Sequence, residues 1–423
     1  MHFAAFDALS ASPADLDACF RLHQAAAAVD RPADPAPVRS AYVARFTRTP
    51  VPGRRYLDWL ARRARTGELA GIASLMLLGD QPSDLAAIDV TVHPRCRRRG
   101  IGSALLTEVA EAASDRCSLL IQGLAEGSPG QAWAAAHGFT VAQRTVVLAV
   151  DMTSVDRKRW CVPAPPGYRL AHWTGSAPDD LLKSYAAARN AIAEAPHGEL
   201  SFTEPEWTPL RVRAAEAAAH SGNCELWVIA AVHERSAQVV GLTYLEVDQY
   251  SPELAIQQDT AVLRAHRGHG IGAWMKAANL QLLAARRPEV KKVRTSNAAD
   301  NKHMLRVNRQ VGLVVQMSTE NRQARLTDLA TRLARLARAG GRLAQDGGQE
   351  LLRLGLDPGQ VPGPAEGLGV QLVDILGAGR PGGEPARLSD DLDPAEGLPI
   401  AGRRGQPGQD RLAGELGRAE LLR

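Results

Sequence analysis

Aromatic residues make up only 4% of this 423-residue chain, and none follows Trp274. Cysteine is sparse too: Cys19, Cys96, Cys117, Cys161 and Cys224 stand far apart, with no C-x-x-C pair and no adjoining histidine cluster. An odd, scattered set excludes a disulfide framework and a zinc site and points to a reducing compartment. No metal is therefore expected, and the expected location is the cytoplasm. No apolar run reaches the length that spans a bilayer. The opening MHFAAFDALSASPADLDACF has no basic segment leading into an apolar core, so neither a signal peptide nor a membrane partner is expected. An excess of one charge is also missing. The formal net charge is +4, and the arginines are spread along the chain, which argues against nucleic acid as a partner.

The remaining composition is that of an ordinary soluble protein, 45% hydrophobic and 23% charged, with a length that suits two or three domains. The chain repeats itself. Asp89, Val92, Arg97, Gly100, Ile101 and Gly102 recur 170 positions later as Asp259, Val262, Arg267, Gly270, Ile271 and Gly272. Six identities in register indicate a duplicated domain.

Each copy has the same local setting. Glu68 to Leu77 and LAAIDVTVHP read as two strands, followed by a glycine turn and the helical pattern SALLTEVAEAASDR. QVVGLTYLEVDQ, LAIQQDTAVL and AWMKAANLQLLAARR repeat that order, and Ser118 to Leu124 and Val290 to Asn297 continue both copies as strands. Strand, turn, helix, strand means α/β architecture. The prolines of VPAPPG mark an extended connector, with a new strand over Tyr168 to Trp173. The expected division is a first domain over 1–152, a linker over 153–166, a second domain over 167–326 and a tail over 327–423. The tail holds half of the chain's 38 glycines. Its start, LTDLATRLARLARAGGRLAQ, suits a basic amphipathic helix. The rest reads as low-complexity, disordered sequence, or as the product of a frame shift in GC-rich DNA. No chemistry is assigned to it, and a chain ending near Leu326 is expected to fold.

R-R-R-G-I-G (Arg97 to Gly102) and R-G-H-G-I-G (Arg267 to Gly272) sit at strand-to-helix turns. Glycine lets the backbone approach an anion closely. The first helical amides are unpaired, and the positive end of the helix dipole lies behind them, so a pyrophosphate fits. A Rossmann fingerprint needs a third glycine where Leu105 and Met275 stand, and a Walker loop needs a Gly-Lys-Ser/Thr that is absent.

D-V-T-V-H-P-x-x-R-R-R-G-I-G-x-A-L-L closely resembles the acetyl-CoA-binding motif of the GNAT superfamily of N-acetyltransferases. The second copy, together with N-A-x-x-N-x-x-M-L-x-V-N-x-x-x-G-L (Asn297 to Leu313), resembles the second domain of actinobacterial tandem GNAT proteins. The likeness covers about residues 1–326. It implies two tandem domains, each a mixed, mostly antiparallel, splayed sheet flanked by helices, with acetyl-CoA as co-substrate. It further implies that Val90, Thr91, Val92, Thr260, Ala261 and Val262 pair with pantetheine and polarise the thioester. Arg97, Arg98, Arg99, Gly100, Ile101, Gly102 and Ser103, and Arg267, Gly268, His269, Gly270, Ile271, Gly272 and Ala273, would hold the pyrophosphate. Asn297 and Asn301 would add contacts.

Many GNAT enzymes carry an acidic Tyr four residues before a Gly-Phe pair. Here Ala134 and Asn308 occupy that position, so a Tyr-based mechanism is not expected in either domain. Acetyl transfer to an amine also needs a base, because free amines are mostly protonated at neutral pH. Glu246, at a strand end facing the expected cleft, is the preferred base among Glu246, Asp248, Glu253 and Asp259. Domain one offers mainly Asp89 and Glu126. These features favour catalysis in domain two, on a small-molecule amine. Two other readings stay open, a protein or peptide acetyltransferase and a non-catalytic acyl-CoA-binding module.

Overall fold

The computed structural model describes residues 1–32, 36–47, 54–78, 85–113, 116–196, 198–200 and 206–336. The first copy runs through strands β1 (His2–Phe6), β2 (Arg54–Arg62), β3 (Leu69–Leu78), β4 (Leu85–Val92), β5 (Ser118–Ala125) and β6 (Thr140–Asp151). Helices α1 (Pro13–Asp30) and α2 (Arg39–Thr47) lie between β1 and β2, α3 (Ile101–Ala112) follows β4, and α4 (Pro129–Ala136) follows β5. The second copy has the same order. Its strands are β7 (Tyr168–Thr174), β8 (Cys224–His233), β9 (Gln238–Asp248), β10 (Leu254–Val262), β11 (Lys292–Ala298) and β12 (Val314–Arg325). Its helices are α5 (Asp179–Arg189), α6 (Pro209–Ser221), α7 (Ile271–Arg286) and α8 (Lys302–Gln310). Every strand, turn and helix anticipated from the repeat is present.

All twelve strands form one sheet in the order β1-β2-β3-β4-β5-β12-β6-β11-β10-β9-β8-β7. The two copies exchange their last strands. β12, from the end of the second copy, pairs antiparallel with β5 of the first, for example Arg325 with Ser118. β6, from the first copy, pairs antiparallel with β11 of the second, from Asp151↔Lys292 to Thr145↔Ala298. β6 and β12 also pair with each other at the centre. A buried hydroxyl contact joins them there, with Thr145 Oγ1 and Thr319 Oγ1 2.6 Å apart. Asn321 of β12 ties three strands together. It accepts from the Gly123 amide at 3.0 Å and donates to Gln143 at 2.9 Å.

The helices cover both faces. α3 packs into the first core through Ile101, Leu105, Leu106 and Val109. α7 does the same in the second through Ala277, Leu280 and Leu283, while α5 and α6 cover the opposite face through Leu181, Tyr185 and Val212.

The body extends beyond Leu326, the expected boundary of the tail. Residues 326–336 continue β12 as a helix, α9. Leu326, Leu329 and Leu333 are buried in the first core. Arg332 donates to the Ala136 carbonyl at the end of α4 at 2.8 Å. The i, i+3, i+7 leucines supply an apolar stripe, and β12 delivers it to the core of the other copy. Leu329→Ala is therefore expected to cost about 2–5 kcal/mol, read as a lower denaturant midpoint at unchanged slope. The remainder of the expected tail, 337–423, lies outside the described residues.

Candidate active site

Both glycine turns are built alike. β4 and β10 run into short 3-10 turns, Pro94–Cys96 and Arg264–His266. The chain then reaches Gly100 and Gly270 in the left-handed region, with φ of 77° and 78°, as the N-caps of α3 and α7. Neither cap has a side-chain hydrogen bond. The amides of the first helical turns, Ile101 to Ser103 and Ile271 to Ala273, precede the first intrahelical bonds, Ala104 to Gly100 and Trp274 to Gly270. The result is an anion cradle at each turn.

The cradles differ in what fills them. Around Gly268, Gly270 and Gly272, an added Cβ would meet nothing within 4 Å. At Gly102 it would lie 3.1 Å from the Trp133 indole nitrogen. Ser103 is engaged as well. His137 donates from Nδ1 to the Trp133 carbonyl at 2.8 Å, which leaves Nε2 to accept from the Ser103 hydroxyl at 2.9 Å. Burial holds the His137 imidazole below its ordinary pKa, consistent with that neutral role.

Arg97 and Arg267 do not simply point outward. Their Nε–H groups fold back onto the carbonyls of Val92 and Val262, at 3.1 and 2.9 Å. Arg97 then forms a two-pronged ion pair with Asp30, at 2.7 and 2.6 Å. Arg267 pairs with Glu194 at 2.9 Å. Each arginine thus braces its turn, a role that the sequence alone did not suggest. Arg98 and Arg99 are exposed.

The V-shaped gap is present in both copies. β4 pairs with β5 only over Leu85–Ile88, and β10 pairs with β11 only over Leu254–Ile256. Val90 to Val92 and Thr260 to Val262 therefore lie on stretches whose neighbour has diverged. The second copy adds a bulge: its β9–β10 register slips between Gln257 and Thr260, placing Gln258 and Asp259 opposite Tyr244. Gln257 fastens the bulge, donating to Tyr244 O at 2.7 Å and Thr243 Oγ1 at 3.0 Å. The β3–β4 pairing runs without such a slip.

On β9, Tyr244 and Glu246 alternate toward the α5–α6 face. Glu246 accepts from the Gln258 amide at 2.7 Å. Behind them lies a cluster that sequence reading missed. Arg189, 7% exposed, stacks 3.4 Å from the Trp207 ring centroid. It donates to Tyr244 OH at 3.3 Å and to Asp259 at 3.4 Å. Asn190 pins Trp207 by accepting its amide at 2.7 Å and donating to its carbonyl at 3.1 Å. Burial pushes the Tyr185 hydroxyl up to about 12, and it raises Tyr244 well above the ordinary value, so both phenols stay neutral. The period-2 spacing of Tyr244 and Glu246 was a usable signal. Arg189 and Trp207 had none, because they come from separate segments. The expected acceptor segment Asn190 to Trp207 is described except for 197 and 201–205. Arg189→Met is expected to cost about 1–3 kcal/mol in a chemical melt, reduced from a fully buried pair because Asp259 is partly exposed.

At the other side of the gap, Asn308 of α8 is fully buried and donates to Asn297 Oδ1 at 2.6 Å. Its own Oδ1 has no protein partner, an orphaned acceptor that suits a ligand donor. Asn301 is occupied as the α8 cap, accepting from the Met304 amide at 3.0 Å. No helix among the described residues is long and apolar enough to cross a membrane. Among the same residues, no group of three His, Cys, Asp or Glu side chains could hold a metal ion.

A family model for the acetyltransferase (GNAT) family matches residues 19–139. The chain is 28% identical over 203 residues to a mycothiol acetyltransferase of Mycolicibacterium paratuberculosis, covering 47% of this chain and 59% of that protein. It is 35% identical over 158 residues to the mycothiol acetyltransferase of Kineococcus radiotolerans, covering 36% and 48%. The matches thus span about half the length of these curated relatives. Among solved structures, a tandem GNAT protein from the clavulanic acid biosynthesis pathway superposes with a TM-score of 0.65 at 28% identity, covering 77% of this chain and 98% of that one. A GCN5-related N-acetyltransferase from Sphaerobacter thermophilus shares the fold, with a TM-score of 0.56 at 20% identity over 77% and 96% of the two chains. Residues 19–139 thus match the acetyltransferase (GNAT) family, and the chain shares the fold of a tandem GNAT protein.

Proposed function

We propose that this protein is an acyltransferase that moves the acetyl group of acetyl-CoA to a primary amine of a small molecule, with the second domain, 167–326, catalytic. One observation carries the assignment. Around Gly268, Gly270 and Gly272 an added Cβ would meet nothing within 4 Å, and the strand leading into that turn carries a bulge whose Gln258 is bonded to Glu246, whereas in the first copy Trp133 stands 3.1 Å from the Cβ position of Gly102 and the β3–β4 pairing has no bulge. The first domain, 1–152, then serves as a structural or CoA-holding partner.

Acetyl-CoA would supply an activated thioester and leave as the free thiol. The amides of Ile271 to Ala273 would hold its pyrophosphate, and the free backbone edge of Thr260 to Val262 would orient the pantetheine and polarise the carbonyl. Asn308, with its unpaired Oδ1, and Asn297 would line the far wall. Glu246 would take the proton from the acceptor ammonium, directly or through one water. Tyr244 and Trp207 would exclude water from that face. The test is thiol release from acetyl-CoA by the full chain against a panel of amine metabolites, amino sugars and peptides. Release driven by small amines supports the reading, release driven by peptides alone transfers it to protein substrates, and none with any amine leaves a non-catalytic CoA-binding protein.

A further inference from the structure

Beside the second glycine turn lies a group of imidazoles of which only His269 was expected from the sequence to meet a phosphate. Tyr168 from β7 stands at its centre, 5.5, 5.7 and 6.0 Å from the rings of His233, His266 and His269. His233 and His266 are themselves 5.3 Å apart. They come from three places, the end of β8, the 3-10 turn after β10 and the glycine turn itself. Each ring uses only Nδ1 for a protein hydrogen bond, and none has a further partner among the described residues. His233 contacts Ser236 Oγ at 3.0 Å, His266 contacts Tyr168 OH at 2.9 Å, and His269 donates to the His266 carbonyl at 3.2 Å. All three Nε2 atoms are left over next to a turn whose amides already favour an anion.

We propose that His233, His266 and His269, gathered on Tyr168, form a proton-linked phosphate subsite that takes a phosphate of CoA at the second glycine turn. This rests on the assignment of that turn to CoA. Two kinds of group surround the cluster. The charged neighbours along the chain are Arg264 and Arg267, with Arg267 partly neutralised by Glu194 of the segment after α5, Glu234 and Arg235 beside His233, and Arg169 beside Tyr168. The titratable neighbours are the three imidazoles themselves and the Tyr168 phenol. Without ligand, burial and the mutual repulsion of the three rings hold His266 below its ordinary value. A phosphate beside them reverses the repulsion and favours imidazolium. Tyr168 can follow the change, donating to neutral Nδ1 or accepting from protonated Nδ1.

A group whose pKa is higher in the complex than in the free protein takes up a proton on binding whenever the pH lies between the two values. Affinity for CoA should therefore rise as pH falls from about 8 to about 6 and then level off, because the ordinary imidazole value lies inside that interval. A bound-state rise of about one unit corresponds to about a tenfold gain.

The experiment is calorimetry of CoA binding to the full chain carrying Gly100→Glu, so that only the second cradle is read. It is run near pH 7 in two buffers of different ionisation enthalpy, with dephospho-CoA as a second probe. The expected result is uptake of about half to one proton per CoA, strongly reduced in His266→Gln and in His233→Gln. Uptake retained with dephospho-CoA places the pyrophosphate at the cluster, and its loss places the 3′-phosphate there. Binding without proton uptake, or uptake unchanged in both histidine variants, overturns the proposal while leaving the CoA assignment standing. Failure of CoA to bind at any pH overturns the CoA assignment itself, and the subsite with it. Thermal melting of each variant separates a local effect from unfolding.

Discussion

Gly270→Glu is expected to abolish turnover, whereas Gly100→Glu leaves most of it. Gly270 sits at a φ of 78°, where an L-residue costs about 1–2 kcal/mol, too little to unfold the domain. The new carboxylate would lie at the N-terminus of α7, where the helix dipole welcomes it. The substitution therefore preserves the helix while placing a competing anion in the cradle. A loss of acetyl-CoA affinity of about a thousandfold or more corresponds to about 4 kcal/mol, the scale of several charge-assisted hydrogen bonds. Gly100→Glu places the same charge in a turn whose cradle Trp133 already narrows at Gly102, 3.1 Å from the position of an added Cβ. Steady-state thiol release by the two full-length variants decides the matter. The opposite ranking moves the active site to the first copy, and equal collapse makes the two cradles a single functional unit.

The second large effect is expected at Glu246. Glu246→Gln keeps the shape of the side chain and removes its ability to take a proton, so kcat should fall by about 10²–10⁴ with acetyl-CoA affinity unchanged. Asp259→Asn is the comparison, because Asp259 lies in the same cleft but is engaged by Arg189 at 3.4 Å. A larger loss in the asparagine variant would move the base to the bulge and leave Glu246 as a holder of Gln258.

Much of this was legible in the sequence. The repeat fixed the order of elements, and Gly100 and Gly270 marked the turns because glycine adopts that left-handed backbone without strain. The divergence of β4 from β5 and of β10 from β11 followed from the family resemblance rather than from any local pattern. What the sequence could not convey were facts of pairing. An alternating strand such as β6 or β12 has an apolar face that fits either copy, and nothing in Thr140 to Asp151 states which neighbour it will take. The burial of Leu329 and Leu333 was hidden for the same reason, since their helix reads as amphipathic wherever it docks. Arg97 and Arg267 were read as phosphate ligands because charge beside a glycine turn suggests it. Their bonds to Val92 and Val262 depend on side-chain direction, which spacing does not reveal. Asn301 behaved as an ordinary helix cap, while Asn308, singled out in the sequence at the position of the tyrosine acid, proved to be buried with an unmatched oxygen.

The exchange of final strands has a consequence for how the protein is made. β5 emerges early from the ribosome, yet its partner β12 lies about 190 residues further along the chain. At ordinary synthesis rates of about 5–20 residues per second, the β5 edge stays bare for about 10–40 s. During that interval the nascent amino-terminal half presents a row of unsatisfied amides and carbonyls, a template for pairing with a neighbouring chain. Closure of the first core is therefore among the last events of biosynthesis. Late translational arrest, even after most of the second copy has been made, should release an adhesive fragment rather than a finished half.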